Sequence, residues 1–205
     1  MERSVAHYQN DRYEVLAEVN HDDTFNEFIG TQIKKRSFSI NSYLAFMFVL
    51  TWVLISILIL RFSEHSSIEK FLCQLGLGIL FGLFLIPIHE LLHGIYLKAL
   101  GCRLIVFEWD LLKFQFSCSS NQFVMSRKEY HLFLLVPFII ITAILLLLAC
   151  IYGHFTALFL SMLLMHSSMC AGDFSLLNFS VKLNRNHLFI FYDPKVKKTL
   201  FLTAK

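Results

Sequence analysis

Four long apolar segments, separated by shorter polar stretches, dominate the sequence after residue 42. They cover residues of about 43–62, 71–97, 132–152 and 155–172. A helix of about 20 apolar residues crosses a hydrocarbon core of about 30 Å. The pattern therefore predicts an α-helical integral membrane protein with four transmembrane helices, the last two joined by a tight turn at Gly153 and His154.

The polar segments show a second pattern, which is rich in strand-forming residues. Residues 104–109 and 113–116 favour a small β-hairpin in the loop between the second and third helices, with the polar run 117–122 as a turn. The tail after Asp173 predicts two more strands, interrupted by Asp193 and Pro194. Residues 1–42 form a polar amino-terminal segment with a weak helix or strand signal near residues 13–19, and residues 43–205 form the membrane-embedded domain.

Composition supports a membrane location and indicates an orientation. Hydrophobic residues make up 56% of the chain and charged residues only 16%, whereas soluble domains carry about 25% charged residues. Lys and Arg number five before the first apolar segment, two in the next loop, five in the third connection, none in the Gly153–His154 turn and six at the end. The positive-inside rule then places both termini in the cytoplasm. The net charge of +3 is too small and scattered to predict nucleic-acid binding.

The second apolar segment contains the motif HELLH at residues 89–93. On a helix, His89 and His93 lie one turn apart on the same face and can hold one Zn²⁺, and Glu90 can act as general base on a metal-bound water. Each ionisable residue in a bilayer costs about 2.5–3.5 kcal/mol, so three within one turn require a reason. The alternative is a polar face turned toward another helix or a water-filled gap. Pro87 is predicted to kink this helix.

A catalytic zinc site usually has three protein ligands, so a third must come from another segment. The predicted orientation brings Asp173, at the end of the fourth helix, to the membrane depth of HELLH. Gly172 is expected to let the HELLH helix approach closely. Glu108 and Asp110, in the cytoplasmic loop, are rival carboxylates.

His166 lies two helical turns before Asp173 on the same predicted helix. This spacing predicts a supporting residue, which would hydrogen-bond a metal ligand or line the substrate cleft. An ordinary polar contact between helices is the alternative.

Together these features resemble a bacterial family of zincin peptidases that was once a domain of unknown function. The resemblance is carried by HELLHG on a membrane helix, a Pro137-bearing apolar helix, AGD at residues 171–173 and the tail Tyr192-Asp193-Pro194. It covers roughly residues 70–200 and implies His89, His93 and Asp173 as zinc ligands with Glu90 as catalytic base. The layout is more distantly similar to site-2 intramembrane proteases, whose aspartate motif reads NPDG-like where this chain reads AGDF.

We therefore expect a zinc-dependent intramembrane peptidase in the bacterial cell membrane. Its partners would be the lipid bilayer and a membrane protein or peptide substrate, with no nucleic acid; the sequence does not define an oligomeric state. The alternative is a non-catalytic metal-binding membrane adaptor, sensor or immunity-type protein. Glu90 argues against that alternative, because a scaffold has no use for a general base. A metal transporter would need ionisable residues along a path through several helices, and the cores of the first and third apolar segments, within residues 43–60 and 132–152, have none.

Overall fold

A computed structural model describes residues 13–21, 24–63, 68–110, 115–120, 123–185, 187–193 and 196–204, excluding the side chains of residues 63, 109, 110 and 115. The helices in this part of the chain are α1 (Phe25–Lys34), α2 (Phe38–Ser63), α3 (Ile68–Leu83), α4 (Leu85–Ala99), α5 (Arg127–Ile151), α6 (Thr156–Met169) and α7 (Ala171–Lys182). The strands are β1 (Tyr13–Asn20), β2 (Ile105–Asp110), β3 (Gln115–Ser120), β4 (Met125–Ser126), β5 (Leu188–Asp193) and β6 (Lys198–Ala204).

The fold is mostly helical, and its long helices follow the four predicted apolar segments. Within the described residues, α2 and α5 are each long and apolar enough to cross a membrane. Two further pairs of helices qualify only if each pair counts as one broken span, α3 with α4 and α6 with α7. The prediction of apolar helices is therefore confirmed, but the second and fourth segments are not continuous helices.

Pro87 explains the break between α3 and α4. The two helices meet at Phe84 with a bend of 40°. A proline has no amide hydrogen to donate to the carbonyl four residues earlier, and its ring collides with that carbonyl. For Pro87 this residue is Leu83, where α3 ends. The predicted kink is thus present, one turn upstream of the proline.

The second break, between α6 and α7, bends the chain by 45°. Asp173 was predicted to close the fourth helix, which is wrong, because it lies in the first turn of α7. The polar residues that follow are buried within α7 and do not form a loop. The Asn178 side-chain amide, for example, donates to the backbone carbonyls of Gln32 and Lys35 at 3.0 and 3.1 Å.

A four-stranded antiparallel sheet joins the two ends of the chain in the order β1-β6-β5-β4. The strand β1 pairs along β6, with Val19 opposite Thr199, and Ile190 of β5 lies opposite Phe201 of β6. The predicted tail strands are confirmed, although Pro194 lies outside the described residues. The amino-terminal segment includes a strand of this sheet and a helix, α1, that packs on α7.

The strands β2 and β3 form a separate antiparallel hairpin, in which Phe107 lies opposite Cys118. The hairpin prediction is confirmed, but the predicted turn is wrong, since residues 117–120 belong to β3. Serine occurs in strands as well as in turns, and here Ser119 and Ser120 are buried within β3. The connection at residues 111–114 lies outside the described part.

Close packing of α3 on α6 depends on two glycines of a GxxxG sequence. A Cβ atom at Gly78 would collide with Ser161 Oγ and the Leu158 carbonyl oxygen, and one at Gly82 would lie 2.6 Å from Met165 Cβ. Small residues of this kind let helix backbones approach each other. The contact fixes the start of α4 relative to the end of α6.

Replacing Gly78 with alanine should therefore destabilise the protein by about 1–3 kcal/mol, the usual cost of overpacking. Gly76→Ala is the matched control, because a Cβ atom added at Gly76 would have nothing within 4 Å. In a helix interior the control should be neutral or stabilising by up to about 1 kcal/mol. The measurement is the free energy of unfolding in mild detergent. Equal stability of both variants would contradict the packing argument.

Candidate metal centre

The helix α4 places HELLH at the centre of the fold, directly after the break at Phe84. His89 and His93 are 6% and 3% exposed, and their Nε2 atoms lie 3.1 Å apart. Glu90 contributes a carboxylate oxygen within 4.8 Å of ligand atoms from both histidines. The one-turn spacing in the sequence has therefore produced the expected shared face.

Asp173 meets these histidines from α7. Its Oδ2 atom lies 3.0 Å from His89 Nε2 and 3.6 Å from His93 Nε2. Its side chain is 17% exposed. The break before α7 turns the first residues of α7 toward α4. The carboxylate therefore comes from the helix after the second break, and the histidines come from the helix after the first break.

Neighbouring elements hold the start of α7 in place. The Tyr43 hydroxyl, on α2, donates to the Ser167 carbonyl at 3.0 Å, and the Tyr43 ring stacks on Phe174 at 4.5 Å between centroids. Gly172 was expected to face the HELLH helix, which is wrong. A Cβ atom on it would contact Phe25 and Ile29 of α1 at 3.5 and 3.9 Å. The amino-terminal helix therefore supports α7 from behind.

His166 approaches His89 from the opposite side. Its Nε2 atom lies 3.1 Å from His89 Nδ1, the ring nitrogen that faces away from Asp173. Cys170 Sγ lies 3.7 Å from the same His166 nitrogen and 3.9 Å from His89 Nδ1. His166 thus contacts a candidate ligand and does not enter the group formed by His89, His93 and Asp173.

The hairpin contacts the site through Glu90. The backbone N–H of Cys118 donates to Glu90 Oε2 at 2.7 Å. Burial raises the pKa of the Cys118 thiol to about 12, with a further contribution from the nearby Glu90 carboxylate. The contact that Cys118 makes with Glu90 is through its backbone N–H.

Gly94, the residue after HELLH, makes this approach possible. A Cβ atom there would lie 2.6 Å from Cζ of Phe107 and 3.4 Å from Cys118 Sγ. The hairpin therefore rests directly on the backbone of α4 one turn beyond Glu90.

The donor atoms fit a tetrahedral metal ion. Zinc binds nitrogen and carboxylate oxygen at about 2.0–2.2 Å, which makes the edges of a regular tetrahedron about 3.3–3.6 Å long. The three separations among His89 Nε2, His93 Nε2 and Asp173 Oδ2 are 3.0, 3.1 and 3.6 Å. Two imidazole nitrogens and a carboxylate oxygen are also the ligand types that zinc takes in catalytic sites.

The structure brings Asp173 to the two histidines. Of the rival carboxylates, Glu108 lines a cavity beside Glu90 on the hairpin, and the Asp110 side chain lies outside the described residues. Sequence reasoning missed the Cys118 amide and the Cys170 thiol. The four-residue spacing of His166 and Cys170 on one helix face was a signal for the thiol, whereas a backbone amide on another element leaves no trace in the sequence.

Comparison with known proteins gives one result. A family model described as "Putative zincin peptidase" matches residues 82–188, which include the HELLH motif and Asp173. No curated protein and no solved structure matches this chain. Because the family model covers just over half of the chain, the protein belongs to the putative zincin peptidase family, a family of metallopeptidases.

Proposed function

We propose that this protein is a zinc-dependent intramembrane peptidase that hydrolyses a peptide bond of a membrane-associated polypeptide. The observation that carries the proposal is the convergence of His89 Nε2, His93 Nε2 and Asp173 Oδ2 within 3.6 Å. All three atoms are acceptors in the forms that bind metal, and a single proton can bridge only one pair of them. One divalent cation satisfies all three at once.

The membrane location rests on the surfaces of the long helices. Large apolar side chains on α2 and α5 are exposed, including Phe48, Trp52, Ile59, Ile139 and Leu147. Exposed apolar area of this extent is unfavourable in water and favourable against lipid. With α3–α4 and α6–α7 as broken spans, the break before α7 lies at Cys170, which is fully buried, and a bilayer tolerates irregular backbone where it is buried in protein. The protein would lie in the bacterial cell membrane with both termini in the cytoplasm.

A bound zinc would supply a Lewis acid, which makes a water acidic near neutral pH and polarises the scissile carbonyl. His89, His93 and Asp173 would hold it. The Cys118 N–H fixes Glu90 through Oε2, and Oε1 would take the proton from the attacking water and pass it to the leaving amine. The chain thus provides both the ligand set and the base that peptide hydrolysis requires.

His166 would orient His89. A metal at His89 Nε2 leaves the proton on Nδ1, where it can be donated to His166 Nε2 at 3.1 Å. Partners of this kind fix the tautomer and ring orientation of a ligating histidine. A proton on Nδ1 of His166 makes its Nε2 the acceptor in this pair.

The β2–β3 hairpin would present the substrate. Peptide bonds in a helix are shielded, so a membrane polypeptide must become extended before it is cut. Extended peptides commonly dock beside existing strands, and β3 contacts α4 next to the proposed base through Cys118.

The purified protein should contain about one zinc ion per chain, because one set of three ligands converges. His93→Ala and Asp173→Ala should each lose most of it, and His166→Ala should weaken zinc affinity by about 10–100-fold. Elemental analysis and chelator competition measure these effects. Glu108→Ala is the matched carboxylate control and should retain its zinc. Full zinc content in the Asp173 variant would remove this residue from the ligand set.

Glu90→Gln should keep the zinc and abolish hydrolysis, since the amide is nearly isosteric but cannot accept the proton. General-base catalysis contributes roughly 10²–10⁴-fold, so the residual rate should fall by at least that factor. The assay compares zinc-loaded wild type and variant in lipid nanodiscs on a proteome-derived peptide library, read by mass spectrometry. Equal hydrolysis by wild type and variant would mean that the metal site is non-catalytic and that a contaminating protease cuts the peptides.

Reporter fusions at residue 205 and in the connection between α2 and α3 should report opposite sides of the membrane, with the tail in the cytoplasm. The physical reason is the alternation of basic residues between connections. Alkaline phosphatase and green fluorescent protein fusions give complementary readouts. The same side for both positions would contradict the four-span topology.

A further inference from the structure

A cavity of about 290 Å³ lies beside Glu90, between α4 and the β2–β3 hairpin. The residues around it are Pro87, Glu90, Phe107, Glu108, Phe116 and Ser117. An apolar cavity of about 150 Å³ in another protein holds a benzene molecule. This one is therefore large enough for a bulky side chain and sits directly at the proposed base.

The register of the hairpin makes the wall of this cavity apolar. Phe107 and Cys118 are paired residues that both face Gly94 of α4. Side chains alternate along a strand, so Phe116 lies on the same face as Cys118. The paired residues Glu108 and Ser117 have the opposite strand register and also line the cavity. Two phenylalanines and Pro87 thus form the apolar part of the lining, with Glu90 and Glu108 as its charged residues.

We propose that this cavity is a subsite for one large apolar side chain, such as leucine, methionine or phenylalanine, of an extended peptide substrate. The inference rests on the proposed peptidase function and adds a substrate class to it. Glu90 is both the proposed base and part of the cavity wall, so a side chain seated there belongs to a residue next to the scissile bond. The Cys118–Glu90 hydrogen bond fixes the distance between subsite and base.

The same wall discriminates against other residues. A small side chain leaves the phenylalanine rings in contact with water and forfeits the burial of apolar surface. An acidic side chain would place a second negative charge close to Glu90, which is costly in a poorly hydrated site. The expected ranking is therefore large apolar over alanine, and alanine over aspartate or glutamate.

Selection of randomised displayed peptides on the Glu90→Gln variant in nanodiscs tests this without requiring hydrolysis. Empty nanodiscs remove peptides that bind lipid. We expect one position to be enriched about tenfold for leucine, methionine or phenylalanine over alanine, since burying such a side chain is worth at least that factor. In the Glu90→Gln background, a second substitution Phe116→Ala should abolish the enrichment. The control Val106→Ala, on the opposite face of β2 from Phe107, should preserve it.

The Phe116→Trp variant should prefer a different side chain at this position, a result that a misfolded protein would not give. The larger ring narrows the cavity, so the preferred side chain should shift from leucine and phenylalanine to valine or alanine. Absence of any enriched apolar position, or a preference unchanged in both Phe116 variants, overturns the subsite. Failure of the wild-type protein to cut any peptide would instead count against the peptidase function, since the binding preference is measured separately.

Discussion

The structure depends on one electrostatic constraint, the enclosure of two imidazole nitrogens and a carboxylate oxygen within 3.6 Å of one another. Polar groups buried without a partner cost free energy, and buried charges persist only when they are paired or bound to a metal. Such a cluster in the middle of apolar helices would be unfavourable unless a cation compensates it. The surrounding contacts, from Tyr43 and α1 on one side to His166 on the other, hold the three groups in this arrangement.

Two interrupted helices solve the geometric part of the problem. A straight helix presents its side chains along a fixed stripe, so two long antiparallel helices could offer ligands only where those stripes happen to cross. The breaks at Phe84 and Cys170 redirect the following segments so that the His89 and Asp173 side chains meet, and each break precedes a candidate ligand in the first turns of the next helix. The helices before the two breaks are held together by the close packing of α3 on α6 through Gly78 and Gly82.

Local signals in the sequence were enough to select residues that lie together in the candidate site, but not to identify the elements that support them. HELLH predicts two histidines on one helix face because the helical period is fixed, and apolar length predicts the spans. Asp173 could be singled out from its depth, yet its helix was mistaken, since the buried polar residues of α7 resemble a loop when their partners on α1 are unknown. The same limit applies to Gly172 and to the serines of β3. Each contacts an element far away in sequence, and periodicity carries no information about such partners.

The hairpin connects the proposed base to the proposed subsite, because one strand contacts Glu90 and also lines the cavity beside it. Cys118 donates its backbone N–H to Glu90 at 2.7 Å, and Phe116 lies two residues earlier on the same face. A displacement of β3 would therefore change the orientation of the base and the shape of the cavity together. Gly94 permits this coupling, since any larger residue would push Phe107 away from α4. The residue after HELLH therefore sets how closely the hairpin approaches the proposed base, although it offers no side-chain atom to the candidate metal centre.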